Sequence, residues 1–299
     1  MTKRYSGSAF DRESTMYQLK AHTVLVLLLA LTLFSGCSHS DKDSQSILKP
    51  SDSYPDASTT GVPEGTLLTS TGNITVTSPN TIIEGYEVHG TIMIRASNVT
   101  IRNTRVLGSS YGSITIEEGF SNILVEDSQI NGAALSEGIE GSHGIWGSAV
   151  VKRCDISGVE NGITPGSGSV LVDNYIHDLK APGDDPHYDA IQIDGNISDI
   201  RIEHNTMLGV PKQTSAVMID NYFGAVSNII VTNNYLAGGG YTVYADGRFG
   251  GGDITGVKFS YNHMEKGEFG YASIDNCTVS DIENVDAITG EAIELQEIY

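Results

Sequence analysis

The sequence predicts an all-β solenoid, a chain wound into stacked coils of short strands. Three observations carry that expectation. A six-residue pattern (apolar, two polar, a small polar residue, any residue, apolar) begins at positions 101, 125, 151, 171, 202, 231 and 259. A second short β-type run follows nearly every copy. The composition is rich in glycine, 34 in 299 residues, and only 18% charged, where ordinary domains have about 7% and about 25%. Such a chain suits short strands joined by many turns. No single copy can bury its own apolar face, and stacking the copies makes one continuous core.

Taken in order, residues 1–36 read as an address. The apolar run VLVLLLALTLF (24–34) follows Lys20. Its length fits a signal-peptide core and is too short to span a bilayer. FSGC (34–37) follows directly and resembles a bacterial lipobox. That resemblance implies that Cys37 is acylated and becomes the first mature residue, and that Ser38 permits sorting to an outer membrane. Met16 is an alternative start. Residues 37–60 are rich in Ser, Asp and Pro without periodicity and read as a flexible tether. The protein is thus expected to be a lipid-anchored monomer of the bacterial cell envelope.

The repeating pattern fills residues 61–285. Its copies are IRNTRV (101–106), VEDSQI (125–130), VKRCDI (151–156), LVDNYI (171–176), IEHNTM (202–207), VTNNYL (231–236) and FSYNHM (259–264), with IDNCTV (274–279) as an incomplete last copy. The fourth position reads Thr104, Ser128, Cys154, Asn174, Asn205, Asn234, Asn262. Successive asparagines at one site would stack as a ladder, each amide bonding the next, at a corner where Asn tolerates a left-handed turn. This resembles the single-stranded, right-handed parallel β-helix of the pectate-lyase-like superfamily. The register separates Cys154 and Cys277 by at least four coils, near 20 Å at about 4.8 Å per coil, beyond disulfide reach, so two buried thiols are expected. Residues 286–299 are expected to cap the last coil at least in part, because a bare end would expose strand edges.

The second runs are GSITIE (112–117), HGIWGS (143–148), NGITPG (161–166), DAIQID (189–194), SAVMID (215–220) and YTVYAD (241–246). Aligned, they give three columns. The last ends in Asp194, Asp220 and Asp246, evenly spaced along the chain. In a stacked fold these carboxylates lie about 5 Å apart. Like charges so opposed need a bridging cation or a raised pKa, and Ca²⁺ suits clustered carboxylates. The alternative is that DG, DN and DG are ordinary turn dipeptides.

The longest coil, from Leu171 to Ile202, carries its excess in KAPGDDPHYD (180–189), and solenoids place such insertions on a binding face. DPH (185–187) resembles a motif of mannuronan C5-epimerases, which implies that His187 moves the C5 proton with Asp185 as polar partner; the YGF that usually opens that motif is replaced by PGD. Asp189 lies just beyond, able to share a face with His187. Arg248, among glycines, and Lys180 are candidates to neutralise a uronate carboxylate, and Tyr188 and Tyr244 to donate a proton. Trp146, Gln192, Tyr241 and Asn221 are candidate substrate contacts, with Tyr222 and Phe249 as further aromatic surface on which sugar rings stack.

The net charge of −20 argues against a nucleic-acid partner, whose phosphates need a basic footprint. Three function classes fit what is left. The first, favoured by the DPH loop and the acidic column, is a lyase or epimerase acting on a uronate polysaccharide. The second is a glycoside hydrolase using paired Asp carboxylates. The third is a noncatalytic glycan-binding or envelope lipoprotein.

Overall fold

The computed structural model describes residues 54–295 except 109, 136–137, 184–185 and 210–214. The described strands form three parallel sheets, with no helix among the described residues. Each winding contributes one strand to each sheet. Sheet A has ten strands, from Thr69–Thr71 to Val285–Asp286; sheets B and C have nine each, from Ile74–Val76 to Gly270–Asp275 and from Ile82–Glu84 to Val279–Ile282. All pairings between these strands are between successive windings and parallel, as in Asp189↔Ser215 and Asn161↔Asp189. The chain is a parallel β-helix.

Stacking follows from what the inward positions hold. Ile92, Ile114, Ile145, Ile163, Ile191, Val217 and Val243 occupy one column of sheet B and are at most 1% exposed. Each such side chain contributes roughly 1.5–3 kcal/mol by leaving water, and β-branched residues suit the pleat. Gly162 marks where backbones crowd: a Cβ there would stand 2.5 Å from Ala190 O.

The asparagine ladder is present at the corner between sheets C and A. Asn174 Nδ2 donates to Asn205 Oδ1 (2.8 Å), Asn205 to Asn234 (3.0 Å), Asn234 to Asn262 (3.0 Å) and Asn262 to Asn284 (2.8 Å). Each Oδ1 also accepts the backbone N–H of the preceding winding's ladder residue, as from Asn234 N to Asn262 Oδ1 (3.0 Å). Two sequence expectations are corrected here. The last rung is Asn284, not Cys277; residues 274–275 end a sheet B strand instead. The left-handed residue is the one before each rung: Asn103, Asp127, Arg153, Asp173, His204, Asn233, Tyr261 and Glu283 all have φ between 46° and 57°.

Cys154 is buried with its thiol pushed up to about 12 by desolvation. Cys277 is only partly buried, correcting the expected second buried thiol, and its Sγ donates to Ala245 O (3.3 Å). At the C-terminal end the chain folds back: Ile293 N donates to Asn284 O (3.0 Å), and Leu295, 8% exposed, covers the end of the core. At the other terminus residues 54–60, assigned to the tether on composition, lie along sheet A with Gly61. Gly61 N donates to Arg153 O (2.9 Å), and Tyr54 packs against Tyr235 and His263 at ring distances of 5.6 and 5.4 Å.

Candidate functional site on the outer face of sheet B

From His143–Gly147 onward, three columns of sheet B carry the predicted site residues: the first, fourth and sixth positions counted from His143, Asn161, Asp189, Ser215 and Tyr241. The columns align in register: His143↔Asn161↔Asp189↔Ser215, Gln192↔Met218↔Tyr244, and Asp220↔Asp246↔Asp275. The sixth column sits where the chain leaves sheet B, held by tight turns. Gly195 follows Asp194 with φ +100°, and a Cβ there would meet Gly224 O at 2.6 Å.

The acidic column is therefore a stack. Asp194 follows the strand Asp189–Ile193, whose Ile193 pairs with Ile219, one residue before Asp220. Two unit charges about 5 Å apart repel by about 3 kcal/mol at an effective dielectric near 20. Burial, with the neighbouring Asp220 charge second, pushes Asp194 up to about 7. Burial, with Asp246 adding to it, pushes Asp220 up to about 6, against the pull of the Tyr222 N–H on its Oδ1 (2.8 Å). The third member is matched by a cation. Arg248 Nε and Nη2 clasp Asp246 (2.8 and 2.5 Å), and its Nη1 reaches Asp275 (3.2 Å).

The first column is sealed. Asp189 is 2% exposed, and Ser215 Oγ donates to its Oδ1 (2.5 Å). Desolvation drives its pKa to about 8. On its other side stands Asn161, whose buried Oδ1 finds no donor among the described residues. His143, with Nδ1 on Thr164 Oγ1 (2.7 Å), is pushed down to about 4 by burial and stays neutral.

Several predicted site residues have other duties. His187 is exposed, and its backbone N–H donates to Glu160 Oε1 (3.0 Å). Asp189 is too buried to meet a polymer and acts as a supporting group. Lys180 is exposed on the long loop. The Tyr188 hydroxyl donates to Ala181 O (3.2 Å) and staples that loop. Asn221 is 1% exposed: its Nδ2 donates to Gly247 O (3.1 Å) and Gly252 O (2.5 Å), and its Oδ1 accepts from Phe249 N (3.1 Å), so it fixes a turn rather than offering a substrate contact. The Tyr244 hydroxyl accepts from Tyr241 N (3.2 Å), the two rings meeting edge-on at 5.6 Å. Gln192 is half-buried between the two outer columns. Asp185 and Cys37 lie outside the described residues.

Four residues escaped the sequence reading. Asp275 extends the acidic column. Glu160 ties Gly141 N and His187 N, one from each of two loops. Tyr111 stacks edge-on against Trp146 at 5.6 Å, making an aromatic pair whose rings are 49% and 42% exposed. Phe223 completes a shelf with Tyr222 (4.8 Å), which in turn meets Phe249 (5.9 Å); all three are exposed. The shelf is bonded to the acidic column, since Phe223 N donates to Asp194 O (2.7 Å) and Tyr222 N to Asp220. Among the described residues no three His, Cys, Asp or Glu side chains converge as a metal-holding group: the carboxylates form a line, with Asp246 already held by Arg248.

No protein-family model matches the sequence, and no curated protein matches it. Among solved structures the chain is similar to the crystal structure of the Dettilon tailspike protein (gp208), with 14% identity and a TM-score of 0.49. The similarity covers 73% of this chain and 46% of that one, so the chain matches less than half of the tailspike chain's length.

Proposed function

We propose that this protein is a polysaccharide-active glycoside hydrolase whose chemistry is carried by Asp194 and Asp220. The single observation behind this reading is the stacked pair itself: Asp194 and Asp220 lie on adjacent windings, burial raises both carboxyls, and the Asp220 charge raises Asp194 further. Two carboxylates that repel across adjacent windings do not both ionise readily, so one keeps its proton while its neighbour is charged, the division that glycoside hydrolysis requires. Adjacent windings set the pair about 5 Å apart, the separation of a retaining mechanism. Asp194 gives its proton to the departing glycosidic oxygen as that C–O bond breaks, and Asp220 bonds to the anomeric carbon. Asp194 then takes a proton from water, whose oxygen displaces Asp220 and releases the sugar. The shelf of Tyr222, Phe223 and Phe249 offers apolar faces to sugar rings beside the pair.

Uronate elimination, the reading favoured by the sequence, fits less well. It needs a positive charge for the substrate carboxylate. Arg248 is already shared by two aspartates, and the wall around it is acidic. Protons, rather than Ca²⁺, relieve the column. With a lipid on Cys37 the enzyme would act at the bacterial envelope.

The test is to incubate the full chain with neutral and uronate polymers. New reducing ends without ultraviolet absorbance are expected, falling by about 10²-fold or more in Asp194→Asn and Asp220→Asn at unchanged circular dichroism. An unsaturated, absorbing product, or full activity in either variant, would overturn the reading.

A further inference from the structure

A second recess lies away from sheet B, over the ladder corner between sheets C and A. It encloses about 600 Å³ and is lined by Tyr54, Val172, Asp173, Glu203, His204, Asn233 and His263. Three of these, Asp173, His204 and Asn233, are the left-handed residues of successive windings, so the fold sets them in a row. Tyr54 forms part of the lining, its ring 5.5 Å from His204 and 5.4 Å from His263.

The lining narrows the ligand's chemistry. Asp173 is bonded to His204 Nδ1 (2.6 Å) and Glu203 to Arg201 Nη2 (2.6 Å). Each carboxylate thus already has an N–H donor of its own, and the two acids repel an anion. What remains is an aromatic face flanked by imidazoles, with carboxylate and amide edges around it. That combination suits a neutral saccharide: the ring's apolar face lies on the phenol and its hydroxyls bond the polar rim. We infer that this corner cleft is a noncatalytic binding site for a neutral sugar unit, with Tyr54 as its platform. The site would hold a polymer to the β-helix on a different face from the acidic column. It does not depend on that column being catalytic.

The full chain, carrying ¹³C-labelled histidine, is titrated with neutral trisaccharides (maltotriose, cellotriose, mannotriose, chitotriose) in the Asp220→Asn background. Saturable shifts of the His204 and His263 ring C–H signals are expected with at least one of them. Tyr54→Ala should weaken that response tenfold or more, and Tyr54→Phe should retain it. The inference is overturned if neither signal moves with any trisaccharide, or if Tyr54→Ala responds like its parent. Shifts confined to His143 on sheet B would also overturn it, while leaving the sheet B reading intact.

Discussion

Replacing Asp189 by Asn should make the protein more stable at neutral pH, and the pH dependence of that gain can be worked out. Asp189 is buried, takes a hydrogen bond from Ser215, and has its pKa driven from 3.8 to about 8. Below pH 3.8 both native and unfolded chains hold the proton, and the group contributes nothing to the pH dependence. Between pH 3.8 and about 8 the native chain keeps the proton while the unfolded chain releases it. The unfolded state binds fewer protons, so stability falls as pH rises, by about 1.4 kcal/mol for each pH unit. At pH 7 the loss is on the order of 4 kcal/mol relative to pH 4. Asn has the shape of the protonated acid, no titration, and an N–H₂ to offer the unmatched Oδ1 of Asn161. Asp189→Asn should therefore be close to neutral at pH 4 and stabilising by about 2–4 kcal/mol at pH 7. Urea unfolding of both proteins at pH 4, 5.5 and 7, followed by circular dichroism, measures the difference. A gap between the two proteins that stays constant over that range would refute the argument, because it would mean that Asp189 ionises alike in the folded and unfolded chains.

Three further outcomes follow from the same structure. Asn234→Ala removes the acceptor of Asn205 N and the donor to Ile202 O and Asn262 Oδ1; with buried groups left unpaired at about 1–3 kcal/mol each, it should cost about 3 kcal/mol in urea unfolding, and a change below about 1 would show the ladder to be ornamental. Arg248→Ala strips the guanidinium from Asp246, which is 5% exposed while the guanidinium is largely in water, and should destabilise by about 1 kcal/mol in urea unfolding at low salt and by less at about 1 M salt; equal losses at both salt concentrations would count against the pair. On the proposal that protons relieve the acidic column, a chelator such as EDTA should leave hydrolysis and melting temperature unchanged, and a drop in either would return Ca²⁺ to Asp194, Asp220 and Asp246.

The fold was legible because a β-helix writes itself once per winding. The Ile and Val columns, the row Asn174, Asn205, Asn234, Asn262 and the equal steps from Asp194 through Asp220 to Asp246 are each one physical contact read several times. Legibility failed where the repeat changed length or chemistry. Asn284 lies 22 residues after Asn262, the shortest step in the asparagine row, and IDNCTV imitated a rung nearby. Asp275 falls later than the even spacing of the other three aspartates would place it. The left-handed corner was assigned one residue late, because Arg153, Tyr261 and Glu283 do not advertise positive φ as Asn does. At the site the errors have a common cause. Asn221 and Tyr188 are polar residues near the column, but their hydrogen-bonding atoms are engaged by backbone from Gly247 and Ala181, and no local pattern reveals such a partner. His187 drew notice through a three-residue motif, whereas the group that positions it, Glu160, sits 27 residues earlier with no motif around it.

The two polar stacks of this molecule differ in one respect, and that difference separates scaffold from reactivity. An asparagine amide both donates and accepts, so a stack of them satisfies itself: each Oδ1 takes two N–H groups from the winding before it, and each Nδ2 finds the next rung's oxygen. Such a column gains from repetition and has nothing left to offer a ligand. An aspartate carboxylate only accepts. Stacked at the same spacing it must import hydrogen or charge, and each member of the sheet B column does so by a different route: Asp194 by holding a proton near neutral pH, Asp220 by taking the Tyr222 N–H, Asp246 by engaging Arg248. Equivalent positions in one repeating backbone thus come to hold unequal hydrogen-bond partners. On the proposed reading, a repeat that places an acid and a base side by side has the minimum equipment for breaking a glycosidic bond, and it arises from the same stacking that leaves the ladder amides bonded only to one another and to backbone.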